Sequence, residues 1–81
     1  MGEPLIGILM ATYNGEQFIN EQIDSILAQT YKNWVLIIHD DGSEDATVEK
    51  IKEYVKKYPK KIILIENNVI FIFKNPKDNF L

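Results

Sequence analysis

The sequence contains no cysteine, which excludes disulfides, thiolate metal sites and a cysteine nucleophile, and which is typical of a reducing compartment such as the cytoplasm. Long apolar runs are also lacking. The longest, Leu5–Ala11 and Val69–Phe73, fall short of the roughly 20 residues that cross a bilayer, and Met1–Pro4 lacks the basic start of a signal peptide. Basic residues are scarce: nine Lys and Arg face 12 Asp and Glu, and the net charge of −3 argues against nucleic acid as a partner.

The chain has 81 residues, the length of one small domain, and we expect residues 1–81 to form a single core. Its first apolar run, Leu5–Ala11, has no polar alternation, which predicts a strand that is covered on both faces of a parallel sheet. The β-branched run Trp34–His39 predicts a second strand, and Ile62–Ile65 predicts a third.

Two amphipathic helices are predicted between these strands. Asn14 and Gln17 have the spacing of a helix N-cap and its capping-box partner, so the first helix is expected to begin there and to end near Gln29. Its apolar stripe consists of Phe18, Ile19, Ile23, Ile26 and Leu27. The second helix ends before Pro59, and its stripe consists of Val48, Ile51, Tyr54, Val55 and Tyr58.

The order β-α-β-α-β predicts the α/β class with a three-layer, Rossmann-like parallel sheet. Residues 67–81 depart from this order and are expected to form an atypical tail. Within it, Val69–Phe73 has the composition of an extra strand, whereas Pro76 and the polar stretch Lys74–Asn79 favour a frayed end.

Two polar loops follow the first two strands, at the edge of a parallel sheet where ligands bind. Tyr13 lies in the first loop, and Asp40 and Asp41 lie in the second, so an aromatic ring and a carboxylate are expected to frame a planar ligand such as a nucleoside. Asp-Asp-Gly-Ser is by itself also typical of a turn and a helix cap, and the joint placement of the loops favours a site. His39 is expected to pack or to hydrogen-bond in its strand, with a role beside Asp40 left open.

Three motifs in this order resemble the N-terminus of the family 2 glycosyltransferases, which have the GT-A fold. They are ILMATYNGE at residues 8–16, IDSILAQTY at residues 23–31 and DDGSED at residues 40–45. The resemblance covers about Pro4 to Asn68 and implies a truncated GT-A half-domain that binds a nucleotide-sugar, commonly a UDP-sugar.

The resemblance also implies roles for individual residues. Ala11, Thr12 and Tyr13 would line the base, and Asp41 would accept a hydrogen bond from a base N–H, while Asp40 would orient the loop or reach the ribose. Glu16 matches a position that the family favours, although a carboxylate there also suits a helix N-terminus. The expected nucleotide-sugar-binding set is Ala11, Thr12, Tyr13, Asn14, Glu16, Asp40, Asp41, Gly42 and Ser43.

The chain departs from the family in its catalytic groups. Members carry an Asp-x-Asp motif that holds a divalent cation, and later an acidic general base, but this sequence has no Asp-x-Asp. We therefore expect no catalytic residue, metal ligand or cofactor here, and Mg²⁺ or Mn²⁺ only in the complete enzyme. The resemblance favours an inverting transfer to an acceptor hydroxyl in polysaccharide biosynthesis, by a cytoplasmic protein that is peripheral to the cell membrane at full length.

A second hypothesis is a folding or association module without catalysis. An incomplete sheet leaves an edge strand, and the apolar segment Val69–Phe73 is suited to pair with a second copy of the chain or to cover the exposed sheet itself. This hypothesis predicts a homodimer that forms through the sheet edge.

Overall fold

The computed structural model describes residues 3–72. It contains four strands, β1 (Ile6–Thr12), β2 (Trp34–Asp40), β3 (Ile62–Glu66) and β4 (Val69–Phe71), and two helices, α1 (Ile19–Ala28) and α2 (Thr47–Lys57). The strands lie in the order β1-β2-β3-β4; the first three are parallel, and β4 is antiparallel to β3. The predicted α/β class and parallel β-α-β-α-β order are confirmed.

Both helices pack on one face of the sheet. The core combines the inward-facing residues of β2 and β3 with residues from both helices: Ile19, Ile23, Trp34, Leu36, Ile38, Val48, Ile51, Val55, Ile62 and Leu64. Two right-handed crossovers that proceed in the same direction place their helices on the same side of a sheet. The described residues therefore form two layers, the sheet and one layer of helices, where three layers were predicted.

The opposite face of the sheet, which we call the open face, carries Leu9, Ile37 and Ile63 in neighbouring positions on β1, β2 and β3. Leu9 is 79% exposed, whereas Ile37 and Ile63 are half-buried. The expectation that the first strand is covered on both faces is therefore not met by residues 3–72, because both helices lie on the other side.

The predicted capping box at the start of α1 is wrong. Residues 16–18 form a turn, α1 begins at Ile19, and the Gly15 carbonyl accepts hydrogen bonds from the N–H groups of Phe18 and Ile19, both at 2.9 Å. No side chain caps α1, and the Asn14 side-chain carbonyl instead accepts from the Glu44 N–H at 2.8 Å. The Asn14 backbone is left-handed, with φ of 49°.

The segment Val69–Phe73, which the sequence singles out as an extra strand, begins with the observed strand β4. Val69 pairs with Glu66 and Phe71 with Leu64, so β3 and β4 form a hairpin joined by Asn67 and Asn68. The predicted frayed stretch Lys74–Asn79 lies outside the described residues. Neither described helix has the length and apolar character that crossing a membrane requires.

Mutations on the two faces of the sheet should differ in how far they lower the free energy of unfolding. Ile38→Ala removes a fully buried side chain and should lower the free energy of unfolding by about 2–5 kcal/mol. The matched control Leu9→Ala removes an exposed side chain and should change it by less than about 0.5 kcal/mol. Urea unfolding followed by circular dichroism measures both, with Ile38→Val as a milder variant if Ile38→Ala does not fold. A comparable loss in Leu9→Ala would show that the open face is covered in solution.

Candidate functional site

The carboxyl ends of β1 and β2 lie side by side, so the loops that follow them are neighbours. Thr12, the last residue of β1, is opposite Asp40, the last residue of β2, and the Asp41 N–H donates to the Thr12 carbonyl at 2.9 Å. We call residues 13–18 the first loop and residues 41–46 the second loop. All nine sequence-predicted site residues lie in these loops or at the strand ends beneath them.

Asp40 is the buried centre of this region, with only 2% of its surface exposed. Its carboxylate accepts hydrogen bonds from the Thr12 hydroxyl at 2.7 Å, the Ser43 hydroxyl at 2.6 Å, the Ser43 N–H at 2.8 Å and the Gly42 N–H at 3.1 Å. Burial by itself raises the pKa of Asp40, but these hydrogen bonds favour the charged form and the net pKa is lowered. Asp40 therefore holds Gly42 and Ser43 of the second loop in place.

Gly42 allows the second loop to turn back over Asp40. Its φ is +89°, a conformation that side chains rarely adopt, and its N–H points at the Asp40 carboxylate. This conformation also brings the N–H of Ser43 onto the same carboxylate. The Asp-Gly-Ser segment is thus a turn that wraps a buried anion.

Asn14 joins the first loop to the second. Its N–H donates to the Ser43 Oγ at 2.8 Å, and its side-chain carbonyl accepts from the Glu44 N–H at 2.8 Å. Because Ser43 also donates to Asp40, a chain of hydrogen bonds runs from the buried carboxylate to the first loop.

Glu16 acts at the N-terminus of α2, not of the helix that follows it in sequence. Its carboxylate accepts from the Ala46 N–H at 3.0 Å, its N–H donates to Asp45 at 3.2 Å, and its carbonyl accepts from Lys50 Nζ at 2.8 Å. Asp45 also accepts from the Thr47 N–H at 2.9 Å and from the Thr47 hydroxyl. The Thr47 hydroxyl, followed by backbone N–H groups, outweighs the effect of burial and lowers the pKa of Asp45.

Two predicted site residues remain available at the surface. Tyr13 is 61% exposed, and Asp41 is exposed as well. Among the described residues, no hydrogen bond or ion pair engages the phenol of Tyr13 or the carboxylate of Asp41. Ala11 is exposed beside them, whereas Thr12 is buried against Asp40. Some side chains of the two loops therefore hold the loops together, whereas Tyr13 and Asp41 are available to contact a ligand.

A cleft of about 240 Å³ opens between the second loop and the hairpin turn, and sequence reasoning missed half of its lining. It is lined by His39, Asp40, Asp41, Gly42, Asn67 and Asn68. Asn-Asn between two apolar runs is a signal of a hairpin turn, and its position after the third strand places it at the same edge of the sheet. His39, expected to pack or to hydrogen-bond, is exposed because its side of the sheet is uncovered, and among the described residues no hydrogen bond engages its side chain.

A larger cleft, of about 630 Å³, lies between the two helices and away from the strand ends. The Tyr54 hydroxyl donates there to Asp24 at 2.7 Å, and burial together with Asp24 raises the pKa of Tyr54 to about 12. The Tyr54 phenol therefore stays protonated near neutral pH. Its hydrogen bond joins α1 to α2, and it does not act there as an acid or a base.

The described residues do not form a cation site of their own. Nowhere in residues 3–72 do three Asp, Glu or His side chains converge, whereas Mg²⁺ at a nucleotide is typically held by one or two carboxylates together with the phosphates. Both oxygens of Asp40 accept hydrogen bonds from the chain itself. No metal-dependent step is therefore assigned to these residues.

Asp40→Asn should destabilise the fold. The amide group cannot accept from four donors as the carboxylate does, and the expected loss at pH 7 is about 1–3 kcal/mol. Since folding lowers the pKa of Asp40, its stabilising contribution is present above about pH 5 and is lost as the pH falls below about 4. The difference in the free energy of unfolding between the parent and Asp40→Asn should therefore become smaller as the pH falls.

Urea unfolding of both chains from pH 7 to about pH 3 measures this difference. Asp41→Asn is the matched control, because Asp41 is exposed and its substitution should cost less than about 0.5 kcal/mol. A parent-to-variant difference that stays constant across the pH range would contradict the assigned role of the Asp40 charge.

Comparison with known proteins identifies the family to which this arrangement belongs. The model of glycosyl transferase family 2 matches residues 7–69. EpsE of Bacillus subtilis, named as a glycosyltransferase, is 45% identical over 64 residues, which are 79% of this chain and 23% of EpsE. An uncharacterized glycosyltransferase of Haemophilus influenzae is 40% identical over 72 residues, or 89% of this chain and 22% of that protein.

A third relative has a more specific name. The UDP-Glc:alpha-D-GlcNAc-diphosphoundecaprenol beta-1,3-glucosyltransferase WfgD of Escherichia coli is 44% identical over 54 residues, which are 67% of this chain and 21% of WfgD. The chain thus spans less than a quarter of the length of each of these relatives. Because the family model matches more than half of its residues, the chain belongs to glycosyltransferase family 2.

Proposed function

We propose that this chain is the part of a family 2 glycosyltransferase that binds the nucleotide of a sugar donor. One observation carries the proposal: Tyr13 and Asp41, both exposed and without partners among the described residues, lie at the carboxyl ends of adjacent parallel strands on loops fastened to buried Asp40. Nucleotides bind at this position in open α/β sheets. The name of WfgD, which specifies UDP-Glc for that protein, supports a UDP-sugar as the donor.

In this proposal the two free side chains contact the nucleoside. The Tyr13 ring offers a flat apolar surface for the base, and the Asp41 carboxylate accepts a hydrogen bond from a base N–H. Ala11 has a small exposed side chain beside them and leaves room for the ring. The loop-holding residues act by preorganisation, which lowers the entropic cost of binding. They are Thr12, Asn14, Glu16, Asp40, Gly42 and Ser43.

Transfer of the sugar needs groups that this proposal does not assign to the chain. The bond between the anomeric carbon and the donor phosphate oxygen breaks, the acceptor oxygen bonds to that carbon, and the acceptor proton passes to a base. We infer that the isolated chain binds nucleotide without turnover. The general base and any Mg²⁺ or Mn²⁺ on the diphosphate then belong to a complete enzyme, which acts in the cytoplasm in polysaccharide biosynthesis.

Titration of UDP into the ¹⁵N-labelled chain, followed by amide chemical shifts, tests the nucleotide site. We expect saturable shifts confined to residues 11–15 and 40–44, with the same affinity in the presence and absence of Mg²⁺. Asp41→Asn removes a charged acceptor and should weaken UDP binding by about 10- to 150-fold, which corresponds to 1.5–3 kcal/mol.

Glu44→Gln is the matched control. It makes the same change of charge in the same loop, and among the described residues the Glu44 carboxylate has no partner. UDP affinity should be nearly unchanged in this variant. Equal losses in Asp41→Asn and Glu44→Gln would indicate a general effect of charge and no base contact, and a parent chain that does not bind UDP would refute the proposed function.

A second candidate is association of the chain through the edge of its sheet. Among the described strands β4 lies at one edge, and its Val69 and Ile70 are 65% and 59% exposed. Uncovered apolar edge strands are templates for pairing with another strand. We propose that β4 pairs with β4 of a second copy if the chain acts as an association module.

Sedimentation velocity over a range of concentrations tests this candidate. In a two-residue hairpin Glu66 and Val69 exchange both hydrogen bonds, so the N–H of Ile70 points away from β3. Ile70→Pro removes this outward donor and should abolish a dimer, whereas Ile70→Val keeps the donor and should preserve it. A strictly monomeric parent, or a dimer that survives Ile70→Pro, would eliminate pairing through β4.

A further inference from the structure

The cleft between α1 and α2 is larger than the cleft at the strand ends, and the proposed nucleotide site does not use it. Its volume of about 630 Å³ lies within the roughly 300–1,000 Å³ that is typical of pockets for small molecules. The residues that line it come from α1, from α2 and from the position that follows α2. Between Lys50 and Lys57, which both line the cleft, α2 rises about 10 Å. The cleft is therefore long enough for more than one six-membered ring.

Two tyrosine rings form the apolar part of this cleft. Tyr54 and Tyr58 are half-buried and pack against the hydrophobic core. The Tyr54 hydroxyl donates to Asp24 at 2.7 Å and so holds the two helices together across the cleft. At the other ring, Lys57 Nζ lies 5.7 Å from the centre of Tyr58. The two rings are thus flat surfaces whose positions are set before a ligand arrives.

The rim of the cleft is polar, and much of its hydrogen-bonding capacity is unused. Asn20, Asp24 and Glu53 are exposed there. Within residues 3–72 no hydrogen bond engages the side chains of Asn20 and Lys57, and the Glu53 carboxylate has only an ion pair with Lys56 at 4.0 Å. Carboxylates accept hydrogen bonds, an ammonium group donates them, and an amide does both. The cleft therefore presents donors and acceptors to the same ligand.

The charges of the lining nearly balance, and this limits the class of ligand. Three ammonium groups, those of Lys50, Lys56 and Lys57, face the two carboxylates of Asp24 and Glu53. A highly charged ligand of either sign would meet like charges in the cleft and would lose affinity through them. A neutral ligand with many hydroxyl groups has no such cost, because each hydroxyl both donates and accepts hydrogen bonds.

We propose that the cleft between α1 and α2 binds a neutral oligosaccharide, with its rings against the two tyrosines and its hydroxyl groups on the rim. Asn20, Glu53 and Lys57 are the rim residues that carry these hydrogen bonds. The C–H groups on the face of a sugar ring have small positive partial charges, which suit the negative face of an aromatic ring. This binding is separate from the nucleotide site. Only its purpose, which is to keep a growing saccharide beside the enzyme that extends it, rests on the proposed function.

The tyrosines also stabilise the fold, so the variants must separate packing from binding. Tyr58→Phe keeps the aromatic ring, whereas Tyr58→Leu keeps an apolar side chain and removes the ring. Glu53→Ala removes an acceptor from the rim, and its control Glu49→Ala makes the same change one turn earlier on α2, outside the cleft. Asn20→Ala is paired in the same way with Gln22→Ala, which removes an exposed amide of α1 outside the cleft. Because Asn20 and Glu53 are exposed, their variants report on binding even if Tyr58→Leu does not fold.

Titration of laminaritriose, cellotriose and chitotriose into the ¹⁵N-labelled chain, followed by amide chemical shifts, measures this binding. The three probes are neutral and differ in linkage or in ring substituent. With at least one of them we expect saturable shifts confined to residues 20–24 and 50–58. Tyr58→Leu, Glu53→Ala and Asn20→Ala should each weaken that binding by about 3- to 10-fold, as the loss of a ring contact or of a hydrogen bond does. Tyr58→Phe, Glu49→Ala and Gln22→Ala should keep the parent affinity.

Several outcomes would overturn the inference. One is the absence of saturable shifts with all three trisaccharides, and another is saturable shifts centred on residues 11–15 and 40–44. Equal losses in Glu53→Ala and Glu49→Ala, or an unchanged affinity in a folded Tyr58→Leu, would also contradict it.

The titration of UDP in the presence and absence of a saturating trisaccharide distinguishes the two sites. We expect the same UDP affinity in both conditions, because the two clefts lie apart. A chain that binds a trisaccharide and no UDP would refute the proposed function and leave this inference standing. A chain that binds UDP and no trisaccharide would refute this inference alone.

Discussion

The arrangement of the two loops depends on one interaction, the solvation of the buried Asp40 carboxylate by the chain itself. A carboxylate removed from water is costly unless hydrogen bonds replace its hydration. Here the Thr12 hydroxyl comes from β1, while Ser43 and Gly42 come from the second loop. The charge therefore determines the path of the second loop and joins it to the neighbouring strand.

The hydrogen bonds to Asp40 also explain why some polar residues of the loops are paired within the chain while others stay exposed. Ser43 donates to Asp40 and accepts from the Asn14 N–H, so the first loop is fixed through the second. Glu16 extends this network to the N-terminus of α2. Once these groups are paired within the chain, Tyr13 and Asp41 are left exposed on loops that the hydrogen bonds hold in place. In the proposed nucleotide site this preorganisation would lower the entropic cost of binding.

The elements of the fold were predictable because their signals are local. The apolar runs predict three parallel strands close to their observed bounds, and the helical stripes predict two helices that end close to where they are observed to end. The helix starts were not predictable in the same way. Asn14 has the right type and spacing for a cap, but its side chain bonds to Glu44, which is 30 residues away. Likewise Glu16 serves α2, and no pattern within a single loop reveals such a partner.

The sequence alone does not predict which of the two aspartates, Asp40 or Asp41, is buried, and the reason is physical. Side chains of a strand alternate between its faces, so Asp40 points inward with Leu36 and Ile38, and Asp41 is the first residue beyond the strand. A register shifted by one residue would bury the other carboxylate. Since Val35 and Ile37 are as apolar as Leu36 and Ile38, the sequence alone does not reveal which set faces the helices. The packing of α1 and α2 on one face makes that choice, and it thereby decides which aspartate is structural and which is free.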